Sequence, residues 1–465
     1  MRILPSVTPT PEQLTILADN TPGFLLIKGA AGSGKTTTAL LRLRQLCASW
    51  LSRRDRLGLV DPVRVLVLTY NRTLEGYIAE LARQQVPGSE GLQVQVLTFG
   101  KWAHDVIGNV DILDRDKSSA MLLPLLKDLP GDRAFLLEEV EYLLGRYPVD
   151  RLDEYLIKPR TGRGINPRVE SLLKRRLLAD VVEPFAALKA ERGAMDWNDI
   201  AIAAGAADGI PPWDVVIVDE AQDFTANQVR ALLPHLAPSH SVTFVMDAAQ
   251  RIYPRHFTWK EVGVNWSKIY TLKHNYRNTE QIAAFARTLV TGVPLEDDGE
   301  LPDFTACDKA GPLPTVVAGS FSAQVDYILG TLARNVDLAN ESVAFLHPRG
   351  GEWFSYLKKR LRQAGLPFVT LTRASTWPEG TEQIALCTLH SAKGLEFDHV
   401  IIPGLNQQVT PHGNEQGDGQ LDALRRLIAM GVGRAKKSVH IGFKPTDPST
   451  ILRLLQPGTY QLVRP

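Results

Sequence analysis

Short apolar runs alternate along this chain with longer segments of helical periodicity. The first set of runs lies at 24–29, 63–70, 94–99, 214–221 and 241–248, and a second set lies at 314–320, 342–348, 383–390, 399–405 and 438–443. Continuous apolar runs separated by helices are typical of parallel strands that helices cover on both faces. The pattern therefore predicts an α/β protein with two parallel sheets.

The sequence pattern changes from apolar runs to helical periodicity between the third and fourth runs. Residues from about 103 to 199 carry helical patterns, such as "AFLLEEVEYLLGRY" and "VESLLKRRLLADVVEPFAALKAE". We therefore predict a first α/β domain at 1–102 and 200–270, a helical insertion at 103–199, and a second α/β domain at 271–465.

Composition limits the class of protein. The chain has 465 residues, 44% of them hydrophobic and 22% charged, with a net charge of +1, so any affinity for nucleic acid must come from local patches. The three cysteines, at 47, 307 and 387, form no close pair, which favours a reducing compartment. No signal peptide or membrane-length apolar run is evident, and we expect a cytoplasmic protein without membrane contact.

The segment "GAAGSGKT" has the glycine and lysine spacing of a phosphate-binding loop. The alternative is a chance glycine-rich turn. The segment follows a predicted strand and begins a predicted helix, and this context favours a phosphate-binding loop. Lys35 would reach the β- and γ-phosphates, and the Thr36 hydroxyl would bind Mg²⁺. The residues expected around the nucleotide phosphates are Gly29, Ala30, Ala31, Gly32, Ser33, Gly34, Lys35, Thr36 and Thr37.

Two adjacent acids end the strand "VVIVDEAQD". Asp219 would hold Mg²⁺, and Glu220 would orient or deprotonate the attacking water. The alternative is a solvated acidic strand end. A kinase that transfers phosphate to a small molecule does not need a base for water at this position.

The order of further motifs resembles the UvrD/Rep/PcrA family of superfamily 1 helicases. The segments that carry the resemblance are "TPEQLTIL", "LTYNRTL", "LTFGKWA", "MDAAQRIY", "HNYRNTEQI", "TLHSAKGLEFDHVIIPGL" and "LRRLIAMGVGRAKK", similar to the Q motif and to motifs Ia, Ib, III, IV, V and VI. The resemblance implies two RecA-like P-loop domains, ATP and Mg²⁺ as cofactors, and single-stranded DNA as the partner, with RNA left open.

The resemblance also assigns roles around the nucleotide. Arg277 and Arg434 would reach the γ-phosphate, Gln250 would sense it, and Glu396 would accept a hydrogen bond from the ribose. Tyr276 would stack on adenine and Gln13 would read its edge, although Thr10 to Gln13 also forms a Thr-x-x-Gln capping box. For the two arginines the alternative is a surface ion pair.

A second group of residues is expected along the DNA. A nucleophile reading of His390 and Ser391 fails, because they are adjacent and no nucleophile elbow is present. The resemblance instead implies that His390 and Ser391 contact the DNA backbone. The alternative is that their side chains only cap the start of a loop. Base stacking and core packing remain alternatives for each aromatic residue. The expected DNA contacts are Tyr70, Asn71, Thr98, Phe99, Tyr253, Trp259, Thr388, His390 and Ser391.

The function expected is ATP-dependent translocation on single-stranded DNA, and the family resemblance implies 3′-to-5′ polarity. Relatives carry a helical 2B subdomain before motif V, but here a short connection joins 368 to 384. Strand separation would then come from the helical insertion at 103–199, from a protein partner that could also supply a nuclease activity, or not occur at all. The alternatives are a nucleotide-gated binding module that separates no strands, and a P-loop kinase, which would leave motifs III to VI unexplained.

Overall fold

The structure is a computed structural model that describes residues 9–29, 32–69, 72–85, 91–160, 169–246, 257–293, 307, 309–371, 378, 380, 382–412 and 419–465. Its strands are β1 Gly23–Gly29, β2 Val63–Thr69, β3 Leu92–Thr98, β4 Asp111–Leu113, β5 Ala194–Asp196, β6 Trp213–Val218, β7 Leu236–Met246, β8 Trp266–Leu272, β9 Thr315–Ala318, β10 Val343–His347, β11 Phe368–Thr370, β12 Ile384–Thr388, β13 Phe397–Ile402, β14 Ala435–Phe443 and β15 Gln461–Val463.

Helices alternate with these strands. They are α1 Pro11–Leu17, α2 Lys35–Leu57, α3 Arg72–Gln85, α4 Phe99–Ile107, α5 Arg115–Leu125, α6 Arg133–Arg146, α7 Glu154–Ile157, α8 Ser171–Arg176, α9 Glu183–Arg192, α10 Trp197–Ala206, α11 Ala226–Leu232, α12 Glu280–Val290, α13 Phe321–Asn335, α14 Glu352–Gln363 and α15 Gly419–Val432. A π-helical segment at Leu177–Val182 joins α8 to α9.

The first sheet has the strand order β3-β2-β6-β7-β1-β8, and every pairing is parallel. Helices α2 and α3 pack on one face, and α4, α10 and α11 pack on the other. Its central strands are buried on both sides, which explains their unbroken apolar sequence. The strands that carry the phosphate-binding loop and the acidic pair are both inside this sheet, separated by β7.

The second sheet has the order β11-β12-β10-β13-β14-β9-β15 and is also parallel throughout. Helices α13 and α14 cover one face, while α12 and α15 cover the other. Two parallel sheets covered by helices confirm the α/β fold class predicted from the apolar runs.

A separate hydrophobic cluster lies within the helical insertion, between Leu122 and Phe185. Strands β4 and β5 form a two-stranded parallel sheet at its base. Arg146, at the end of α6, makes two hydrogen bonds to Glu261 of the first domain, from Nε to Oε1 at 2.9 Å and from Nη2 to Oε2 at 3.0 Å. Both side chains are buried, so this ion pair fixes the insertion against the first domain.

Three strands of the main sheets, all at sheet edges, lie outside the ten apolar runs. Strand β8 is at a sheet edge, and most of its positions are exposed or half-buried, so its sequence lacks a continuous apolar run. Strands β11 and β15 have three residues each and also form edges. Edge strands need apolar residues on fewer sides, which weakens the signal in the sequence. None of the described helices is long and apolar enough to cross a lipid bilayer.

Candidate nucleotide site at the domain interface

The glycine-rich loop joins the carboxyl end of β1 to the first turn of α2. Gly34 precedes α2 with a φ of 78°, and Gly32 has a φ of 84°, a left-handed conformation that suits glycine. Helix α2 has 23 residues, and its first turn begins at Lys35. The free N–H groups and dipole of a helix N-terminus favour anions, so the loop is built to hold phosphate.

The segment that follows β8 packs directly on this loop. The backbone N–H of Tyr276 donates to the carbonyl of Gly32 at 3.1 Å. A Cβ atom at Gly32 would lie 2.1 Å from Asn275 Oδ1, so glycine is required there for close approach as well as for its backbone conformation. The tyrosine expected to stack on adenine is half-buried beside the phosphate-binding loop.

Thr36 and Asp219 meet across the sheet. The Thr36 hydroxyl donates to Asp219 Oδ2 at 3.0 Å, and Asp219 is buried at the end of β6. Burial raises the pKa of Asp219, and the neighbouring carboxylate of Glu220 raises it further. A buried carboxylate whose charge is under-compensated is suited to a cation, and hydroxyl and carboxylate oxygens are ligands that Mg²⁺ accepts.

Glu220 is strained and surrounded by cations. It is the one residue other than glycine with positive φ in the described part of the chain, at 53°, and such conformations are often retained at functional sites. Gln222 Nε2 donates to its carboxylate. Burial would raise the pKa of Glu220, but the charges of Lys393, Arg434 and Lys35 outweigh burial and lower it. Glu220 is therefore held as a carboxylate, the form that can accept a proton.

Lys393 is the residue of this site that sequence reasoning missed. Its side chain is 3% exposed and crosses from the second domain to the acids of the first. The Nζ atom pairs with Asp223 Oδ2 and lies 3.6 Å from Glu220 Oε2. The sequence motif could not reveal this contact, because the partners of Lys393 lie about 170 residues away in sequence.

Two predicted phosphate-binding arginines lie near one another in the second domain. Arg277 pairs with Glu396, and its Nη1 atom donates to the carbonyl of Gly433 at 3.4 Å. Arg434 is buried and close enough to Glu220 to lower its pKa. The ion pair of Arg277 is largely shielded from solvent, with side-chain exposures of 11% for Arg277 and 16% for Glu396, and the phosphate-binding role of both arginines stays a prediction.

Glu396, the expected ribose ligand, is occupied by cations in this structure. Besides Arg277, Lys436 Nζ lies 3.3 Å from its Oε2 atom. Burial would raise the pKa of Glu396, but Arg277 and Lys436 lower it to about 2. The carboxylate is therefore charged and can accept a hydrogen bond.

Gln13 has the capping-box geometry and also contacts the nucleotide loop. Its backbone N–H donates to Thr10 Oγ1 at 3.3 Å, and its Oε1 atom accepts from the Thr10 N–H at 2.9 Å. Its Nε2 atom donates to Thr38 Oγ1 at 2.9 Å and approaches the Gly34 carbonyl at 3.5 Å. The amide therefore links α1 to the start of α2, beside the phosphate-binding loop.

The turn after β12 contains the residues expected along the DNA backbone. Thr388 Oγ1 donates to Ser391 Oγ at 2.9 Å and accepts from the Ser391 N–H at 3.1 Å, which is a capped loop start. His390 is exposed. Local loss of solvent around its ring, and the cations Lys393 and Arg115, lower its pKa. Because Arg115 belongs to the helical insertion, that insertion and this turn lie near one another.

The expectation that Phe99 stacks on bases is wrong. Phe99 is 4% exposed, and its ring packs against Trp102 and Phe224 in the core of the first domain. Trp259 is half-buried, with ring centroids 4.9 Å from both Phe244 and Trp266. Phe99 is therefore part of the core of the first domain, while Trp259, at the start of a short 3-10 turn, packs against the edge of that core.

The other expected contacts divide into two groups. Thr98 caps α4, with its hydroxyl accepting from the Lys101 N–H at 3.3 Å. The remaining expected residues lie outside the described part of the chain, namely Ala30, Ala31, Tyr70, Asn71, Gln250 and Tyr253.

A phosphate-binding loop, a hydroxyl–carboxylate pair, a buried carboxylate and two arginines from a second domain define a P-loop nucleotide site shared between two α/β domains. Comparison with known proteins agrees. A family profile described as an AAA domain matches residues 13–255, which is more than half of the chain. The profile of the UvrD-like helicase C-terminal domain matches residues 373–444. The chain belongs to the UvrD-like superfamily 1 helicases.

Individual relatives carry matching names. DNA helicase IV of Escherichia coli is 23% identical over 502 residues, which cover 93% of this chain and 68% of that protein. A probable DNA helicase II homolog of Rickettsia conorii is 43% identical over 61 residues, covering 12% of this chain but only 9% of the relative. ATP-dependent DNA helicase Rep of Escherichia coli is 38% identical over 61 residues, with 13% of this chain and 9% of the relative covered.

A solved structure also matches. It is the C-terminal domain of a possible DNA helicase from Lactobacillus plantarum WCFS1, with 24% identity, 40% of this chain and 98% of that chain covered, and a TM-score of 0.30.

Proposed function

We propose that this chain hydrolyses ATP and uses the energy to move along single-stranded DNA with 3′-to-5′ polarity. The observation that carries the proposal is the composition of the site around Glu220. The first domain contributes the phosphate-binding loop and the acids, while the second contributes Lys393 and Arg434. A site divided in this way couples the state of the nucleotide to the relative position of two domains.

The residues of the first domain would bind ATP and activate water. Lys35 and the first turn of α2 would hold the β- and γ-phosphates, since a lysine and the positive end of a helix dipole lie there. Glu220, kept ionised by its neighbours, would accept a proton from the attacking water. Arg277 and Arg434 would stabilise charge on the transferring phosphoryl oxygens, as arginines do in other phosphoryl-transfer sites.

The hydroxyl of Thr36 and the carboxylate of Asp219 fit a Mg²⁺ ion. Their oxygens are 3.0 Å apart, and the carboxylate is buried. Among the described residues no cluster of three or more histidines, cysteines or acids could hold a metal ion, so phosphate and water would supply the remaining ligands. When bound, Mg²⁺ would neutralise charge on the β- and γ-phosphates.

The turn at 388–391 would hold the DNA backbone. Thr388 and Ser391 present hydroxyl groups, and His390 is exposed beside Arg115 of the helical insertion. Hydroxyl and cationic groups are the usual partners of phosphate oxygens. Strand affinity should therefore fall as salt rises. The names of the relatives, which are DNA helicases, support DNA as the strand, and the polarity is proposed from the motif resemblance.

Steady-state phosphate release with and without single-stranded DNA tests the proposal. We expect strong stimulation by the strand in the wild type and loss of turnover in Lys35→Ala. The matched control is Lys437→Ala, because Lys437 is half exposed and, among the described residues, its ion pairs are to Glu341 and Asp398 on the second domain. A rate of ATP hydrolysis that is the same with and without single-stranded DNA would refute the proposed translocase. A phosphorylated small metabolite as the product would indicate a kinase instead.

The short connection between β11 and β12 predicts which motor activity dominates. Residues 371–383 span it, within ordinary loop lengths, and leave no room for a 2B subdomain. We expect the purified chain to displace streptavidin from a biotinylated single-strand end while it unwinds a tailed duplex poorly. Processive unwinding of long duplex by this chain alone would show that the subdomain is not required.

A further inference from the structure

We propose that Gln13 is a structural tie between α1 and the phosphate-binding loop that leaves the edge of the base unread, so that the site accepts purine nucleoside triphosphates without selecting adenine. The inference rests on the proposed function, since it concerns the triphosphate that is hydrolysed. It replaces the role that the motif resemblance implies for Gln13, and it names the class of substrate for the site.

Both ends of the Gln13 amide are bonded within the protein. Its Oε1 atom accepts from the Thr10 N–H at 2.9 Å, and its Nε2 atom donates to Thr38 Oγ1 at 2.9 Å. These partners fix the orientation of the amide, because a backbone N–H can only donate and must face the oxygen. Since Nε2 also approaches the Gly34 carbonyl at 3.5 Å, both of its hydrogens point toward protein acceptors.

Reading a purine would require the same two amide atoms. Adenine presents an N7 acceptor and an N6 amino donor along one edge, whereas guanine presents N7 and O6 acceptors. A glutamine that distinguishes them has to accept from N6 and donate to N7 at the same time. Only 2% of Gln13 is exposed, and its partner Thr38 is fully buried. The amide is therefore directed into the protein rather than toward a base.

Helix α1 is also held at its other end, which keeps Gln13 in this position. Arg42, buried on α2, donates through Nη1 to the Ile16 carbonyl at 2.9 Å and to the Asp19 carbonyl. The Asp19 carboxylate in turn accepts from the Tyr270 hydroxyl of β8 at 2.9 Å. Turning the Gln13 amide outward would break its capping box and its bond to α2, while these contacts hold the backbone of α1 in place.

The other groups expected around the nucleotide do not distinguish one purine from another. Tyr276 is half-buried beside the phosphate-binding loop, where the motif resemblance places it against the base. An aromatic ring stacks on any base, because every base has a π-face. Lys35 and the first turn of α2 would act on the phosphates, which all nucleoside triphosphates share. Binding through these groups favours no purine over another.

The test compares kcat/KM for ATP with kcat/KM for GTP, both measured by phosphate release in the presence of single-stranded DNA. A site that hydrogen-bonds a distinguishing group rejects the analogue without that group by about 10⁴- to 10⁵-fold. We expect the wild type to favour ATP by less than about tenfold, because Gln13 makes no such bond. Gln13→Met should keep this ratio within about twofold of wild type but lower the urea midpoint, because the tie between α1 and α2 is lost.

Two further variants complete the test. Gln13→Glu keeps an oxygen that can accept from the Thr10 N–H but lacks the donor that adenine N7 requires. Its charge acts on both triphosphates alike, so the ratio should again stay within about twofold of wild type. The matched control is Gln324→Met, because Gln324 is also buried and bonds the Gly319 carbonyl and the Gly404 N–H on the second domain. It should lower the urea midpoint without changing the ratio.

The wild-type ratio tests the inference even where a variant fails to fold. A wild-type preference for ATP greater than about tenfold would overturn it, and so would a fall of more than about twofold in the ratio of either folded Gln13 variant. Either result would leave the proposed function intact, since ATP would still be hydrolysed. If neither triphosphate is hydrolysed, the proposed function fails, and the inference fails with it.

Discussion

Replacing Glu220 by glutamine separates the chemical role of this carboxylate from its structural one. The amide has nearly the same shape and can still accept the hydrogen bond from Gln222. It cannot accept a proton from water, and a positioned general base contributes about 10²- to 10⁴-fold to rate. We therefore expect turnover to fall by about that factor, equivalent to about 3–5 kcal/mol of transition-state free energy.

The stability of the fold should change much less. Glu220 lies 3.6 Å from Lys393, which at an effective dielectric constant of about 20 corresponds to an attraction of about 5 kcal/mol. The variant loses that attraction but no longer buries a charge, a cost of several kcal/mol in the opposite direction. Lys393 also keeps Asp223 as a partner. The net change should be about 1 kcal/mol, within the range of ordinary substitutions.

Two measurements on Glu220→Gln decide the matter. Phosphate release under saturating ATP reports turnover, and equilibrium binding of a fluorescent nucleotide reports affinity. The control is Glu341→Gln, because Glu341 also pairs with a lysine but contacts no residue of the candidate site. Turnover within about threefold of wild type, with binding intact, would refute the assignment of Glu220 as the base, since a base should contribute far more.

Other predictions concern single groups elsewhere. Arg434→Ala should bind a fluorescent nucleotide normally yet lose about 10³-fold or more in phosphate release. Arg146→Met should destabilise the fold by about 3 kcal/mol in urea unfolding, because the buried carboxylate of Glu261 is left with the more distant Arg230 at 3.9 Å, and adding Glu261→Gln should restore most of the loss. Burial, helped by Arg349, lowers the pKa of His347 from 6.5 to about 4. The stability from this neutral ring is complete above pH 6.5 and is lost as pH falls through 4, so urea midpoints of His347→Asn should depend less on pH over that interval.

Local patterns in the sequence were sufficient for the fold class and for the phosphate-binding loop. Apolar runs identify buried strands because both faces of those strands are covered, and the loop is recognisable because its glycines and Lys35 are adjacent in the chain. Ion pairs across the fold leave no such local signal. Lys393 pairs with Asp223, which is 170 positions away in sequence, and Arg277 pairs with Glu396, which is 119 positions away.

Aromatic residues were the least predictable part of the site. A ring at a strand end can face a ligand or the core, and one residue of register decides which. Phe99 follows β3 directly and turns inward as the first residue of α4, where Trp102 and Phe224 surround it. Burial of this kind depends on helices that lie far away in sequence, so the motif alone could not reveal it.

The connection that leaves β8 has a mechanical consequence. One of its residues, Tyr276, is bonded to the carbonyl of Gly32, and another, Asn278, donates through Nδ2 to the carbonyls of Gly433 and Ala435, on either side of Arg434. Both arginines are thus attached to the same short segment. Arg277 belongs to it, and Arg434 is held by the hydrogen bonds that the Asn278 side chain makes to its neighbours. The two arginines should therefore move toward or away from the nucleotide together rather than one after the other. The point about which they move should be the hydrogen bond between Tyr276 and the glycine-rich loop.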